Sequence, residues 1–157
     1  MPQIKKLLED KHFSLAGKTR SGKSYLGKEL HRVADRSIYF NFPDKKRDDY
    51  DVPGKIVDVN TPKPLLKKGF EDGVKMKYDS HWKSSVRDQE LRSVYEVAKE
   101  AMKDVPDDEL LYFFVDEAHD FGENLEYLLR DALGHGIIIV PISQSPGDMS
   151  NDALSQI

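Results

Sequence analysis

The sequence predicts an α/β domain with a mostly parallel sheet flanked by helices. Three observations carry this reading. β-prone runs and amphipathic stretches alternate along the chain. Residues 110–115 and 137–142 are apolar runs, the second containing Pro141, of the kind found in strands buried on both faces of a parallel sheet. A glycine-bounded loop, 17–24, joins the first strand directly to the first helix. With 157 residues the chain is long enough for one domain, taken as 1–157, and barely for two.

Residues 4–11 form a lead-in, and 12–16 (His-Phe-Ser-Leu-Ala) a short strand. After the loop, Leu26, Leu30 and Val33 recur at helical spacing, which predicts a helix over 23–33. Residues 38–42 are β-rich and stop at Pro43, and 44–54 are charged and turn-rich. Residues 55–59 alternate as a strand does, Pro62 and Pro64 open a short helix reaching Gly69, and 74–78 alternate again. Val86, Leu91, Val94, Val97, Ala98 and Met102 mark a helix over 84–103. The strand 110–115 follows, then a helix over 125–133 ended by Gly134 and Gly136, then the strand 137–142.

Apolar residues make up 38% of the chain, enough for one core, so a disordered chain is disfavoured. The absence of cysteine excludes disulfide scaffolds, zinc knuckles and thiol catalysis. No apolar run approaches the ~20 residues that span a bilayer, and no signal peptide is visible. The expectation is a soluble protein of the cytoplasm, without stable membrane insertion. Net charge is −4, but its distribution is steep: +5 over 1–36, +2 over 37–103 and −11 over 104–157. A protein that coats nucleic acid through general basicity is thereby disfavoured, while local binding through a few loops stays open.

Gly17, Lys18, Thr19, Arg20, Ser21, Gly22, Lys23 and Ser24 fit G-x-x-x-x-G-K-[ST] at every fixed position. Glycines let consecutive backbone N–H groups turn toward phosphates, and the following helix presents its N-terminus to the same anion. Lys23 would reach the β- and γ-phosphates and Ser24 would hold Mg²⁺. Tyr25 completes the predicted nucleotide-binding segment. An apolar strand before the loop and an amphipathic helix after it are the context this motif requires.

The strand 110–115 ends in Asp116 and Glu117. In a P-loop protein this is the Walker B position. Asp116 would hold Mg²⁺ and Glu117 would act as general base on the attacking water. Side chains alternate along a strand, so the two carboxylates need not compete for one place. The adjacent glutamate favours hydrolysis over simple nucleotide binding. The strand 137–142 ends in Ser143-Gln144. Gln144 there is either a sensor of the γ-phosphate or a polar turn residue before Pro146, and spacing alone does not choose.

In this order, the phosphate loop, Val115-Asp116-Glu117-Ala118-His119 and the segment from Gly136 to Pro146 resemble the HerA/FtsK superfamily. The resemblance spans residues 12 to 157, though only those three motifs are specific. It implies a P-loop NTPase of the RecA-like ASCE type that hydrolyses ATP with Mg²⁺. It also implies a ring, with a hexamer expected, that translocates or packages double-stranded DNA. Lys23, Ser24, Asp116, Glu117 and Gln144 take the roles given above. Family members commonly carry an arginine in the helix before the last motif, reaching a neighbour's nucleotide. Arg130 is the arginine of that region here, and it reads equally well as a solvated helix residue. The chain lacks the N-terminal barrel or membrane segments of cellular members and stops where a further strand or two would complete the sheet. A viral or plasmid ATPase, or a trimmed chain, would fit this economy, so association with a virus in an infected cell is the alternative to the cytoplasm.

The alternative reading is a nucleotide-dependent switch or assembly ATPase acting on protein partners. A small-molecule kinase is disfavoured, because it needs an acceptor pocket rather than a water-activating glutamate. Asp116-Glu117-Ala118-His119 also spells a helicase box, but such helicases need two recombinase-like domains. His119 is read as a packing residue near the site rather than a sensor. Asp51-Val52-Pro53-Gly54 resembles a GTPase turn without the preceding apolar strand, and no guanine motif is present. Lys63, Lys67, Lys68, Lys75, Lys77, Lys83 and Arg87, with Tyr78 and Trp82 among them, read first as a solvated face and secondly as a DNA-facing loop. His12, His31, His81 and His135 have no metal-ligand spacing and read as structural.

Overall fold

The computed structural model describes residues 8–16, 23–41 and 52–143. Within them the chain runs β1 (Leu15–Ala16), α1 (Lys23–Val33), β2 (Ser37–Asn41), β3 (Lys55–Val57), α2 (Lys63–Asp72) and β4 (Met76–Asp79). It continues through α3 (Ser84–Met102), β5 (Leu111–Val115), α4 (Glu123–Asp131) and β6 (Ile137–Ser143). Single 3₁₀ turns, Ala118–Asp120 and Ala132–His135, flank α4. The six strands form one sheet in the order β1-β6-β5-β2-β4-β3. Each of its neighbouring pairs is parallel. No helix among the described residues is long and apolar enough to cross a membrane.

Alternation along the strands sends side chains to two cores. Ile38, Phe40, Leu111, Phe113, Val115, Ile137 and Ile139 pack under α2, α3 and α4. Tyr39, Tyr112, Phe114, Ile138, Val140 and Ile142 face the other way, onto Leu30 and Ala34 at the end of α1. That β5 and β6 are buried at every position explains why they read as continuous apolar runs. α1 lies close on β6 through Gly27, where an added Cβ would meet Ile142 Cδ1 at 2.5 Å.

Helix α1 has the bounds its periodicity predicts. The other differences have identifiable causes, some local and some set by distant partners. β1 is shorter than the run 12–16 because Pro141 withdraws a ladder donor from β6, and pairing with β1 starts only beyond it, at Leu15 opposite Ile142. Upstream, the His12 ring takes the place of a strand partner, its Nδ1 accepting from the Ile139 N–H at 2.8 Å. Helix α2 passes Gly69 and ends at Gly73, which holds φ 73°. There Val74 N–H bonds to Gly69 O at 2.9 Å and Gly73 N–H to Phe70 O at 3.3 Å, a Schellman closure. β3 stops at Val57 because Asp58 opens a turn, accepting from Asn60 N–H at 2.8 Å. Helix α4 begins two residues before its first apolar position, with Glu123 in its first turn, and its last turn tightens to 3₁₀ before the left-handed Gly136.

Candidate functional site

In a parallel sheet every strand ends at the same edge, and ligand sites form there. Ala16 at the end of β1 is in register with Ser143 of β6, and Val115 of β5 with Pro141 of β6. Three chain ends therefore converge: the one leaving β1 for the phosphate-loop sequence, Ser143, and Asp116 following β5. β6 lies between the other two, so β1 and β5 stand two strand spacings apart, about 10 Å.

Residues Gly17, Lys18, Thr19, Arg20, Ser21 and Gly22 lie outside the described residues, as does Gln144. Lys23, Ser24 and Tyr25 form the first turn of α1, so the helix starts at the point the motif requires. Their side chains are outside the described part. Ser143, the residue before Gln144, is buried at this edge.

The acidic strand end is fully described. Asp116 is 3% exposed. Its N–H donates to Phe40 O at 3.1 Å, which continues the β2–β5 ladder one residue past the strand. Its Oδ1 accepts the Glu117 N–H at 2.9 Å. Glu117 then turns sharply, with φ 50° and ψ 50°. Among the described residues it is the non-glycine residue with positive φ. Left-handed backbone at a residue with a long side chain costs about 1–2 kcal/mol and tends to collect at working sites. The turn is closed by Asp120 N–H donating to Glu117 O at 2.9 Å. It brings His119 Nε2 to 3.3 Å from Glu117 Oε2 and 3.5 Å from Asp120 Oδ1. His119, read from sequence as packing, therefore touches the candidate base.

Beneath this turn lies Arg87, fully buried. Its Nη2 donates to Asp116 O at 3.2 Å, its Nη1 to Asp120 Oδ2 at 3.1 Å and its Nε to Ser80 Oγ at 2.9 Å. The guanidinium also sits 4.7 Å above the Phe121 ring. Burial lowers its pKa, while Asp120, Asp116 and Glu117 pull the other way. An arginine keeps its charge in such a place, and that charge offsets the cluster of carboxylates. Sequence reading assigned Arg87 to a basic, solvent-facing run. The signal for its real position was available: Arg87, Leu91, Val94 and Ala98 recur at the spacing of one helix face, and they are all buried.

The rest of that basic run divides. Tyr78 is 2% exposed and stacks on Phe40 at 4.6 Å, so it offers no surface. Lys75 Nζ donates to Ala34 O, and Lys77, largely covered, lies 3.9 Å from Asp79. Lys63, Lys68 and Lys83 are exposed. Trp82 is 73% exposed and stacks on His81 with ring centroids 5.3 Å apart. These four, on the outer side of α2 and in the β4–α3 connection, keep the surface character that nucleic-acid contact requires.

Arg130 is exposed in the last turn of α4. That helix starts near the carboxyl edge and runs back toward the start of β6. Its nine residues span about 13 Å, so Arg130 stands toward the opposite edge of the sheet from Glu117 of its own chain.

No protein-family model matches the sequence, and a comparison with curated proteins finds no match. Solved structures do match in fold. The genome-packaging NTPase B204 from Sulfolobus turreted icosahedral virus 2, in complex with ATP-γS, superposes with a TM-score of 0.70 at 16% identity, over 94% of this chain and 72% of that one. The DNA-packaging ATPase B204 from Sulfolobus turreted icosahedral virus gives 0.65 at 18% identity, over 94% and 72%. EssC (ATPases 2 and 3) from Geobacillus thermodenitrificans gives 0.50 at 12% identity, over 94% of this chain and 31% of that one. The chain thus has the fold of these P-loop ATPases, an all-parallel sheet flanked by helices.

Proposed function

We propose that this chain is a Mg²⁺-dependent ATPase that works as a ring, expected to be a hexamer, to translocate or package double-stranded DNA. One observation carries the nucleotide half of this reading. A complete G-x-x-x-x-G-K-S sequence leads from β1 into α1, and the Asp116–Glu117 pair ends β5 at the same edge of the sheet. The DNA half is supported by the fold shared with two viral packaging ATPases and by the exposed Trp82, Lys83, Lys63 and Lys68.

In this reading the backbone of 17–22 and Lys23 bind the ATP phosphates. Ser24 and Asp116 would supply hard oxygen donors of the kind Mg²⁺ takes, and the burial of Asp116 suits a metal ligand better than a solvated carboxylate. The metal would supply charge neutralisation at the phosphates. Glu117 accepts the proton of the attacking water. Gln144 is read as the sensor of the γ-phosphate, and Arg130 as acting on the nucleotide of the neighbouring subunit. Most of the rate enhancement comes from positioning and electrostatics, since phosphoryl transfer needs little covalent help from the protein.

The test is steady-state ATP hydrolysis with and without double-stranded DNA, with Glu117→Gln as the blank. Hydrolysis that depends on Glu117 and rises with DNA is the expected result. Glu117-dependent hydrolysis indifferent to DNA would transfer the assignment to a nucleotide-dependent switch acting on protein partners. The absence of both ATP binding and hydrolysis would refute the ATPase reading itself.

A further inference from the structure

We propose that Arg87 is a positioning residue for the reaction, holding Glu117 in its left-handed conformation by fixing the peptide unit between Asp116 and Glu117. The inference rests on the reading of Glu117 as the general base.

The geometry is specific. The peptide unit joining Asp116 to Glu117 is pinned at both ends. Arg87 Nη2 holds its carbonyl oxygen at 3.2 Å, and the Asp116 carboxylate holds its N–H at 2.9 Å. The peptide unit on the far side of Glu117 is pinned through its oxygen by Asp120 N–H at 2.9 Å. The Asp120 side chain is in turn gripped by Arg87 Nη1 at 3.1 Å. One guanidinium therefore fixes both sides of the residue whose φ and ψ are each 50°. Two neighbouring peptide planes held in place leave the strained residue between them little freedom to relax. A strained conformation persists only where its surroundings over-determine it, and here the surroundings are identified.

The arginine's placement has no simpler packing rationale. Its position on the apolar face of α3 would suit a leucine, since Leu91, Val94 and Ala98 continue that face. Burying a guanidinium there is unfavourable unless its donors are satisfied and its charge matched. Both conditions are met by the Asp116 carbonyl and the Asp120 carboxylate, on either side of the candidate base, together with the Ser80 hydroxyl. The Ser80 bond ties the same guanidinium to the connection between β4 and α3. Lysine has the charge but not the planar fork, so it cannot reach three divergent acceptors at once.

The consequence is a split between binding and turnover. The phosphate loop binds nucleotide independently of Arg87, while Glu117 reaches the attacking water only if its backbone is held. Arg87→Lys is expected to lower kcat about tenfold to a hundredfold, the scale set by misplacing a reacting group by about 1 Å, with ATP affinity within about threefold of the parent. If the residue acts through Glu117, the same substitution produces no further loss in the residual single-turnover rate of Glu117→Gln. A residue with a purely structural role would lower turnover in both backgrounds alike.

The experiment measures ATP binding by titration calorimetry, turnover under single-turnover conditions, and folding by circular dichroism, for the parent, Arg87→Lys, Glu117→Gln and the double variant. A folded Arg87→Lys with kcat within twofold of the parent overturns the inference. So does a loss repeated in full in the Glu117→Gln background. Should Arg87→Lys fail to fold, Ser80→Ala decides by the same criteria, since it removes one anchor of the guanidinium and leaves the buried charge paired. Its expected effect is a several-fold loss of kcat, and an unchanged kcat overturns the inference. A parent protein without Glu117-dependent hydrolysis refutes the proposed function, and this inference with it. Glu117-dependent hydrolysis that ignores Arg87 and Ser80 refutes the inference alone.

Discussion

Replacing Glu117 by glycine should stabilise the protein while abolishing its activity, an unusual pairing that follows from the backbone. Glu117 sits at φ 50° and ψ 50°. An L-residue with a long side chain pays about 1–2 kcal/mol for that conformation. Glycine adopts it without penalty but is freer in the unfolded chain, which returns about 0.5–1 kcal/mol. The net gain is about 0.5–1 kcal/mol. In a domain of this size 1 kcal/mol moves the melting temperature by about 2–4 °C. Two side-chain effects accompany the change. Removing a carboxylate beside Asp116 and Asp120 relieves repulsion, while losing the 3.3 Å contact to His119 works the other way.

Glu117→Gln separates these contributions, because it removes the same charge and leaves the backbone strained. The expected result is that Glu117→Gly melts about 1–4 °C above Glu117→Gln, while both lose ATP hydrolysis by about a hundredfold or more. Thermal melts of the three proteins in one buffer, beside a phosphate-release assay, make the comparison. A glycine variant that melts at or below the glutamine variant would refute the argument, since the left-handed turn would then carry no strain. Strain retained where glycine would be more stable is the pattern expected if the conformation is kept for its chemistry.

Three other outcomes are expected. Lys23→Ala should weaken ATP binding by tenfold or more, about the worth of a charged hydrogen bond, and calorimetry showing unchanged affinity would remove Lys23 from the site. Arg130→Ala and Glu117→Gln subunits should each be inactive alone yet regain hydrolysis when mixed, because mixed rings contain sites with both groups; a mixture as inactive as its parts would return Arg130 to the solvated surface. The third concerns His31, whose Nε2 lies 2.7 Å from Pro53 O and whose Nδ1 lies 2.7 Å from Ser37 Oγ. Burial pushes its pKa down from 6.5 to about 3, so between these values the unfolded chain binds a proton that the folded one does not. Stability should therefore be complete above about pH 6.5 and fall toward pH 3, by about 2 kcal/mol between pH 6.5 and 5 for this one group. Urea unfolding at pH 7.5 and 5 should show the drop in the parent and a smaller one in His31→Gln.

Much of the architecture was legible because its causes are local. The bounds of α1 follow from Leu26, Leu30 and Val33, and the apolar runs of β5 and β6 follow from burial on both faces. Part of what escaped was set by distant partners. Nothing within residues 12–16 announces that Pro141 and the His12–Ile139 hydrogen bond will shorten β1. The stop of α2 at Gly73 rather than Gly69 depends on which glycine turns left-handed, and both are possible on spacing. Asp116 and Glu117 are proposed as site residues from their place after an apolar strand, but the sharp turn at Glu117 has no glycine to mark it. Arg87 was missed because a charge was weighed as surface before its position on the helix face was counted. Both failures fall where local preference is overruled, which is where working residues concentrate.

The strand order gives the uneven charge along the chain a structural meaning. The first 36 residues carry +5 and the last 54 carry −11. β1 belongs to the basic segment, β5 and β6 to the acidic one, and the sheet seats β1 directly against β6. The sheet thereby brings a strand of the basic segment side by side with a strand of the acidic one. The basic loop sequence that follows β1 is the half suited to phosphates, and the carboxylates that follow β5 are the half suited to a metal and a proton. Left to themselves, Asp116, Glu117 and Asp120 would repel one another in a turn that is largely covered. The cation that balances them comes from the middle of the chain, as Arg87 on α3, and reaches them from beneath the sheet edge. It bonds the Asp120 carboxylate and the Asp116 backbone carbonyl, and its charge offsets the three carboxylates without occupying the solvent-facing side, where a nucleotide would have to enter.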